Sequence, residues 1–151
     1  MQIMLQISLG IAGTAKNTGK TTTTAAIIQE LRIRAIPLFI TSIGYDGENL
    51  DNITRLPKPK LWVEPGDIIA TAAKCFKFST ASFRMLEETE VCTPLGKVWI
   101  AEVKKAGLVV TAGPNKSSDV KIVSALLRRI GPGVILFDGA LNRIGLITCY
   151  A

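Results

Sequence analysis

Apolar residues in this chain fall into short runs separated by breaks rich in glycine, proline and asparagine. Residues 3–12, Ile-Met-Leu-Gln-Ile-Ser-Leu-Gly-Ile-Ala, are mainly apolar, short and closed by Gly13, a pattern that predicts a central strand rather than a helix. From Lys20 to Arg34 the residues Ala26, Ile27, Leu31 and Arg34 fall at helical spacing. Basic residues occupy the final turns, where they favour the helix dipole, so a first helix is predicted there. Residues 36–43 predict a second buried strand, which opens into the turn-rich Gly44-Tyr45-Asp46-Gly47-Glu48-Asn49.

The middle of the chain is less regular. Pro57-Lys58-Pro59-Lys60 must be extended, since each proline disfavours a helical residue before it. Residues 61–64 then read as a short strand, and residues 67–76 as a helix with Asp67 at or near its N-cap. Residues 84–92 and 97–104 read as two strands of a hairpin, joined by Thr93-Pro94-Leu95-Gly96. In the last third, residues 108–111 predict a strand, 117–130 a helix ended by Gly131-Pro132-Gly133, and 134–137 another strand. This forms a strand-helix-strand unit of the kind that builds parallel sheets. The expected architecture is α/β: a mainly parallel sheet with helices on both faces and an antiparallel hairpin inserted around 84–104.

Composition narrows the class. At 151 residues, 48% hydrophobic and 20% charged, the chain has the size and make-up of one globular domain. The net charge of +6 is spread over Arg32, Arg34, Lys58, Lys60, Lys104, Lys105, Arg128 and Arg129. That spread fits a solvated exterior better than a nucleic-acid surface. Cys75, Cys92 and Cys149 stand far apart and there is no histidine, which argues against a zinc site and for free thiols in a reducing, cytoplasmic setting. The apolar start lacks the basic region of a signal peptide, and no stretch approaches the ~20 apolar residues that a membrane helix requires.

The strongest chemical signal lies at residues 13–21, Gly-Thr-Ala-Lys-Asn-Thr-Gly-Lys-Thr. Phosphate binding calls for inward-pointing backbone N–H groups, a lysine for the outer phosphates and a hydroxyl for Mg²⁺, all at a helix N-terminus. Gly13 and Gly19 permit close backbone approach, and Thr14, Asn17, Thr18 and Thr22 complete the cradle. Lys20 is placed to reach the β and γ phosphates, and Thr21 offers its hydroxyl to the metal. The motif also sits between a predicted strand and a predicted helix, as a P-loop must.

The order Gly-Thr-x-x-x-x-Gly-Lys-Thr resembles the phosphate loop of dethiobiotin synthetase and the related cobyrinic acid diamide synthases, a group of P-loop NTPases. Val134-Ile135-Leu136-Phe137-Asp138-Gly139-Ala140 looks like the second magnesium motif of the same group. The resemblance implies that Asp138 holds Mg²⁺, directly or through water, and that ATP is the nucleotide. The chain departs from that group after the second strand, where Thr41-Ser42-Ile43-Gly44 replaces the substrate-binding Lys-Pro-Val. In the similar partitioning and arsenical-pump ATPases a signature lysine lies five residues before the loop lysine. Here that position is Ala15, with Lys16 one place off, which favours a self-contained site over a homodimer exchanging lysines.

Other polar groups have two readings each. Asp46, with Glu48 beside it, leaves the second strand where a P-loop protein can keep a metal-binding or water-positioning carboxylate; alternatively, it serves turn geometry. Asn115-Lys116-Ser117-Ser118-Asp119 superficially resembles a guanine-reading motif, but its aspartate is one residue late, so Ser117, Ser118 and Asp119 are read as helix capping. That loop could still border a ligand at the strand ends. Glu64 and Asp67 around Pro65-Gly66 read as a capped turn, and Trp62 and Trp99 as packing.

Two functions follow as expectations. The first is an ATPase or ATP-dependent ligase in which Lys20 and Asp46 act on the phosphoryl group while Thr21, Asp138 and Asp46 hold magnesium, the acceptor being water or a small carboxylate. The second is a nucleotide-binding accessory protein whose hairpin docks a protein partner. Thr93-Pro94-Leu95-Gly96, Ala112-Gly113-Pro114 and Asp138-Gly139-Ala140-Leu141-Asn142-Arg143 are similar to small P-loop proteins that reactivate cobalamin-dependent aminomutases. The chain stops soon after Asp138, so it reads as a minimal or truncated domain, and its pattern does not choose between adenine and guanine.

Overall fold

Leu38–Ile43 is buried at every position, because it lies inside a sheet covered on both faces. It is strand β2 of a computed structural model that describes residues 6–13, 19–44 and 61–139. In chain order the elements are β1 (Gln6–Ile11), α1 (Lys20–Ile33), β2, β3 (Leu61–Val63), β4 (Ile68–Ala72), α2 (Ala73–Phe78), β5 (Ser82–Thr93), β6 (Gly96–Lys105), β7 (Gly107–Val109), α3 (Ser117–Ile130) and β8 (Gly133–Gly139). Six strands form one sheet in the order β1-β8-β2-β4-β6-β5, while β3 and β7 pair separately; β1 is thus an outer strand, not the central one expected, because β8 alone pairs with it among the described residues. β1, β8, β2 and β4 run parallel; β6 and β5 run antiparallel to their neighbours. The protein is thus α/β, with a mixed sheet in which four parallel strands are extended by β6 and β5.

Alternation along the strands sends side chains to two cores. Leu38, Ile40 and Leu136 pack with Ile28 of α1, together with Leu61 and Val63 of β3 and Val109 of β7. Phe39, Ile135 and Phe137 pack on the other face against Val120, Val123 and Leu127 of α3. Parallel strands buried on both faces carry near-continuous apolar runs, which is why β2 and β8 were readable as strands. On α1 the buried residues are Thr24 and Ile28, with Ile27 and Leu31 half-buried. Ala26 is exposed and Arg34 forms the exposed C-cap, so the buried stripe is rotated from the expected one.

Three other expectations are corrected. The helix read over 67–76 is mostly strand: Ile68–Ala72 forms β4, hydrogen-bonded to β2 on one side and β6 on the other, and only Ala73–Phe78 is helical. Its β-branched Ile68, Ile69 and Thr71 suit a strand, and the two flanking strands fix the outcome. Asp67 closes a turn instead of capping a helix, accepting the Glu64 N–H at 2.9 Å and pairing with Arg32 at 2.6 Å, as the capped-turn reading had it.

The hairpin at Thr93–Gly96 forms as read, with the Thr93 hydroxyl donating to the Gly96 carbonyl at 2.8 Å and Gly96 at φ 102°. It is not an insertion, however, since β6 extends the main sheet beside β4. The strand-helix-strand unit is not built either, since β7 and β8 lie in different sheets. β6 holds the place next to β4, and β7 pairs with β3 outside the main sheet.

Trp99 is half-buried on β6, whereas Trp62 is 53% exposed on β3, so only Trp99 is placed to pack as read. Among the described residues no helix is long and apolar enough to cross a membrane.

Candidate functional site

The parallel strands end together. Ile11 of β1 lies in register with Asp138 of β8, and Asp138 with Ser42 of β2, so three neighbouring strands present their carboxyl ends in one row. Open α/β sheets bind ligands at such ends. Both long helices also begin on this side. α1 starts just beyond β1. The start of α3 is tied to the end of β2, where the Gly44 N–H donates to the Pro114 carbonyl at 2.8 Å and the Gly113 N–H donates to the Gly44 carbonyl at 3.1 Å.

The backbone conformation at the head of α1 requires glycine. Gly19 is the N-cap with φ 81° and ψ 15°, left-handed, and its carbonyl accepts the Thr23 N–H at 2.9 Å. Among the described residues no side chain caps this end, and a helix start of this kind favours an anion. Thr21 and Thr22 stand exposed in the first turn, while Thr24 turns inward and donates to the Lys20 carbonyl at 2.9 Å.

Lys20 reaches across to β8. Its ammonium donates a hydrogen bond to the carbonyl of Gly139, 119 residues along the chain, and approaches Asp138 Oδ1 to 3.3 Å. The two side chains are only 18% and 10% exposed. The ammonium does not meet hydrogen-bond geometry toward Asp138, and that buried Oδ1 has no hydrogen-bond donor among the described residues. A buried carboxylate oxygen without a donor typically costs more than the ~1–3 kcal/mol of a neutral group. The oxygen therefore lacks a hydrogen-bond donor, while the Lys20 ammonium beside it supplies positive charge.

The structure brings together Gly19, Lys20 and Asp138, with Thr21 and Thr22 in the adjoining first turn and buried Gly13 just past β1. Thr14, Asn17, Thr18, Asp46, Glu48, Lys16 and Ala140 lie outside the described residues. Among the described residues no group of three His, Cys, Asp or Glu side chains could hold a metal. Among the described residues the carboxylate at these strand ends is Asp138.

Sequence reasoning missed two parts of this region. Ser42, 4% exposed, sits in register beside Asp138, and its hydroxyl donates to the Gly44 carbonyl at 3.1 Å. Gly113 lies so close to β2 that an added Cβ would stand 1.7 Å from the Ser42 carbonyl oxygen. A serine near the end of an otherwise mostly apolar strand was the available signal for the first. For the second, Gly113-Pro114 marked only a break.

The capping reading of Ser117, Ser118 and Asp119 does not hold. Lys116 is the N-cap of α3 and no side chain caps that end, although Asp119 in the first turn favours the dipole. Cys75 is fully buried, and burial pushes its thiol up, which disfavours the reactive thiolate. No family model, no curated protein and no solved structure matches this chain.

Proposed function

We propose that this chain is a P-loop protein that binds ATP with magnesium at the carboxyl ends of β1, β8 and β2, and acts as an ATPase or ATP-dependent ligase. One observation carries the reading: the lysine and the aspartate of two motifs that the sequence keeps far apart meet at 3.3 Å, beside a glycine-capped helix start. Two features among the described residues support the reading further: an Asp138 oxygen without a hydrogen-bond donor and a helix start without a side-chain cap.

The chemistry is mainly electrostatic. Free N–H groups at the start of α1 would bind phosphate oxygens, with the helix dipole adding about 0.3–1 kcal/mol. Lys20 would hold the outer phosphates and stabilise charge on the phosphoryl group in transfer. Magnesium suits the oxygen donors present, with Asp138 and the Thr21 hydroxyl as the groups that would hold it. When bound, it would neutralise phosphate charge. Asp46 remains the proposed carboxylate for positioning the attacking group. The acceptor is water or a small carboxylate.

Calorimetry with MgATP tests the site. Lys20→Ala should lower affinity by at least about tenfold, the equivalent of one charge-assisted hydrogen bond. Asp138→Asn should retain nucleotide binding but weaken its dependence on magnesium. Unchanged affinity in Lys20→Ala would refute the phosphate site.

One feature favours the accessory role as a second reading. β5 is one of the two outer strands of the sheet as described and exposes Met85 at 44% and Leu86 at 40%, as a docking edge for a protein partner would. Turnover that appears only with such a partner would select this role; steady turnover with a carboxylate would select the enzyme.

A further inference from the structure

Lys20 is the cation assigned to the phosphates, yet in the structure it faces two oxygens of the protein itself. Its ammonium lies 3.3 Å from Asp138 Oδ1 and donates to the Gly139 carbonyl. The Lys20 and Asp138 side chains are only 18% and 10% exposed, so water and salt screen their attraction less than they would at the surface. The backbone of Lys20 is fixed in the first turn of α1, where its carbonyl accepts the Thr24 hydroxyl at 2.9 Å. A change of partner must therefore come from the flexible four-carbon stem. A phosphate at the start of α1 and the carboxylate at the end of β8 are then two anions competing for one ammonium. A phosphate that draws the ammonium away leaves Asp138 buried without its cation, which is the costly way to break such a pair.

We infer that Asp138 is an internal competitor of phosphate for Lys20, so that the protein's own carboxylate restrains the binding of metal-free phosphate ligands. The contact is autoinhibitory. The inference rests on the phosphate-site reading and adds to it a residue that opposes the ligand. It sets the sign of the effect: with metal excluded, removing the charge of Asp138 strengthens phosphate binding, because Lys20 is released and no buried carboxylate is left behind. It also ranks ligands. Pyrophosphate carries more negative charge than a single phosphate and so prevails over Asp138 more readily.

The test uses the full chain at matched ionic strength with a metal chelator present throughout. Calorimetry with inorganic pyrophosphate should give several-fold tighter binding to Asp138→Asn than to the parent chain. Amine-directed labelling without pyrophosphate, quantified peptide by peptide, should modify Lys20 slowly in the parent and several-fold faster in Asp138→Asn. Exposed Lys105 serves as the constant reference. Equal or weaker pyrophosphate affinity in the variant would overturn the competition. Unchanged labelling of Lys20 would do so too, because a gain in affinity by itself reports only the loss of a repelling charge. Circular dichroism checks the fold, and Asp138→Ser takes the place of Asp138→Asn should the amide prevent folding. Labelling of Lys20 as fast as Lys105 in the parent overturns the competition without any variant. The two readings fail separately. Pyrophosphate bound equally by both chains removes the competitor and leaves the phosphate site. Faster Lys20 labelling in the variant, with no pyrophosphate or ATP affinity in either chain, removes the phosphate site and the competition with it, and leaves an ion pair.

Discussion

Gly19 and Gly113 constrain the chain for different reasons, and the difference can be measured. An added Cβ at Gly19 would meet nothing within 4 Å, so a side chain there is opposed only by the left-handed backbone at φ 81°. Gly19→Ala should therefore cost roughly 1–2 kcal/mol. At Gly113 the added carbon would lie 1.7 Å from the Ser42 carbonyl oxygen, a main-chain atom that cannot rotate aside. Relief requires the segment to move off β2, straining or breaking the two hydrogen bonds that tie it to Gly44. Overpacking at ~1–3 kcal/mol plus about 1 kcal/mol for each hydrogen bond lost makes Gly113→Ala the more damaging change. Urea denaturation of both variants gives the comparison, and an equal or smaller loss at Gly113 would show that the loop yields easily. Gly19 was legible from its motif. Gly113 was not, because its constraint comes from a strand some seventy positions earlier (~70, outside any local sequence window).

At the scale of elements, α3 carries the clearest packing test. Val120, Val123, Ser124 and Leu127 are buried at the i, i+3, i+4, i+7 spacing of one helix face, while Ile122 is 43% exposed and Ile130 45%. Leu127→Ala removes a fully buried side chain from the core beneath the sheet and should cost about 2–5 kcal/mol. Ile122→Ala should fall within ~0.5 kcal/mol, as surface changes usually do. Similar shifts in the urea midpoint for the two would contradict the orientation of the helix. α3 could be read from the sequence because its period and its glycine stop agree. β4 could not, because Ile-Ile-Ala-Thr-Ala is short and apolar and fits strand or helix equally; pairing with β2 and β6 decides it.

For the whole molecule, ligand and fold are linked. A ligand that binds only the folded chain raises stability by RT ln(1 + [L]/Kd), about 2.7 kcal/mol at a hundredfold excess. At ~2–4 °C per kcal/mol for a chain of this size, MgATP should raise the melting temperature visibly. The proposed site recognises phosphates rather than the base, so ADP and GTP should also protect, and adenosine should not. Matched ionic strength separates binding from screening of the +6 charge. Equal protection by adenosine and MgATP would disprove phosphate-led binding.

The sequence by itself determined the local units: β1 leading to the glycine loop, α1 beginning at Lys20, the β5–β6 hairpin, α3 and β8. Each follows from a period, a break or a turn that spans a few residues, within reach of local sterics and hydrogen bonding. It also marked Lys20 and Asp138 separately, through two motifs near opposite ends of the chain. Only the tertiary structure decided that β8 enters between β1 and β2, that β6 takes the place beside β4, and that β7 leaves the main sheet. These are choices among strand edges of similar local character, settled by which pairings bury both faces at once. The meeting of Lys20 with Asp138 belongs to that second kind. It depends on β8 running parallel beside β1 in the register that sets Asp138 opposite Ile11, and no local pattern in the chain encodes that register.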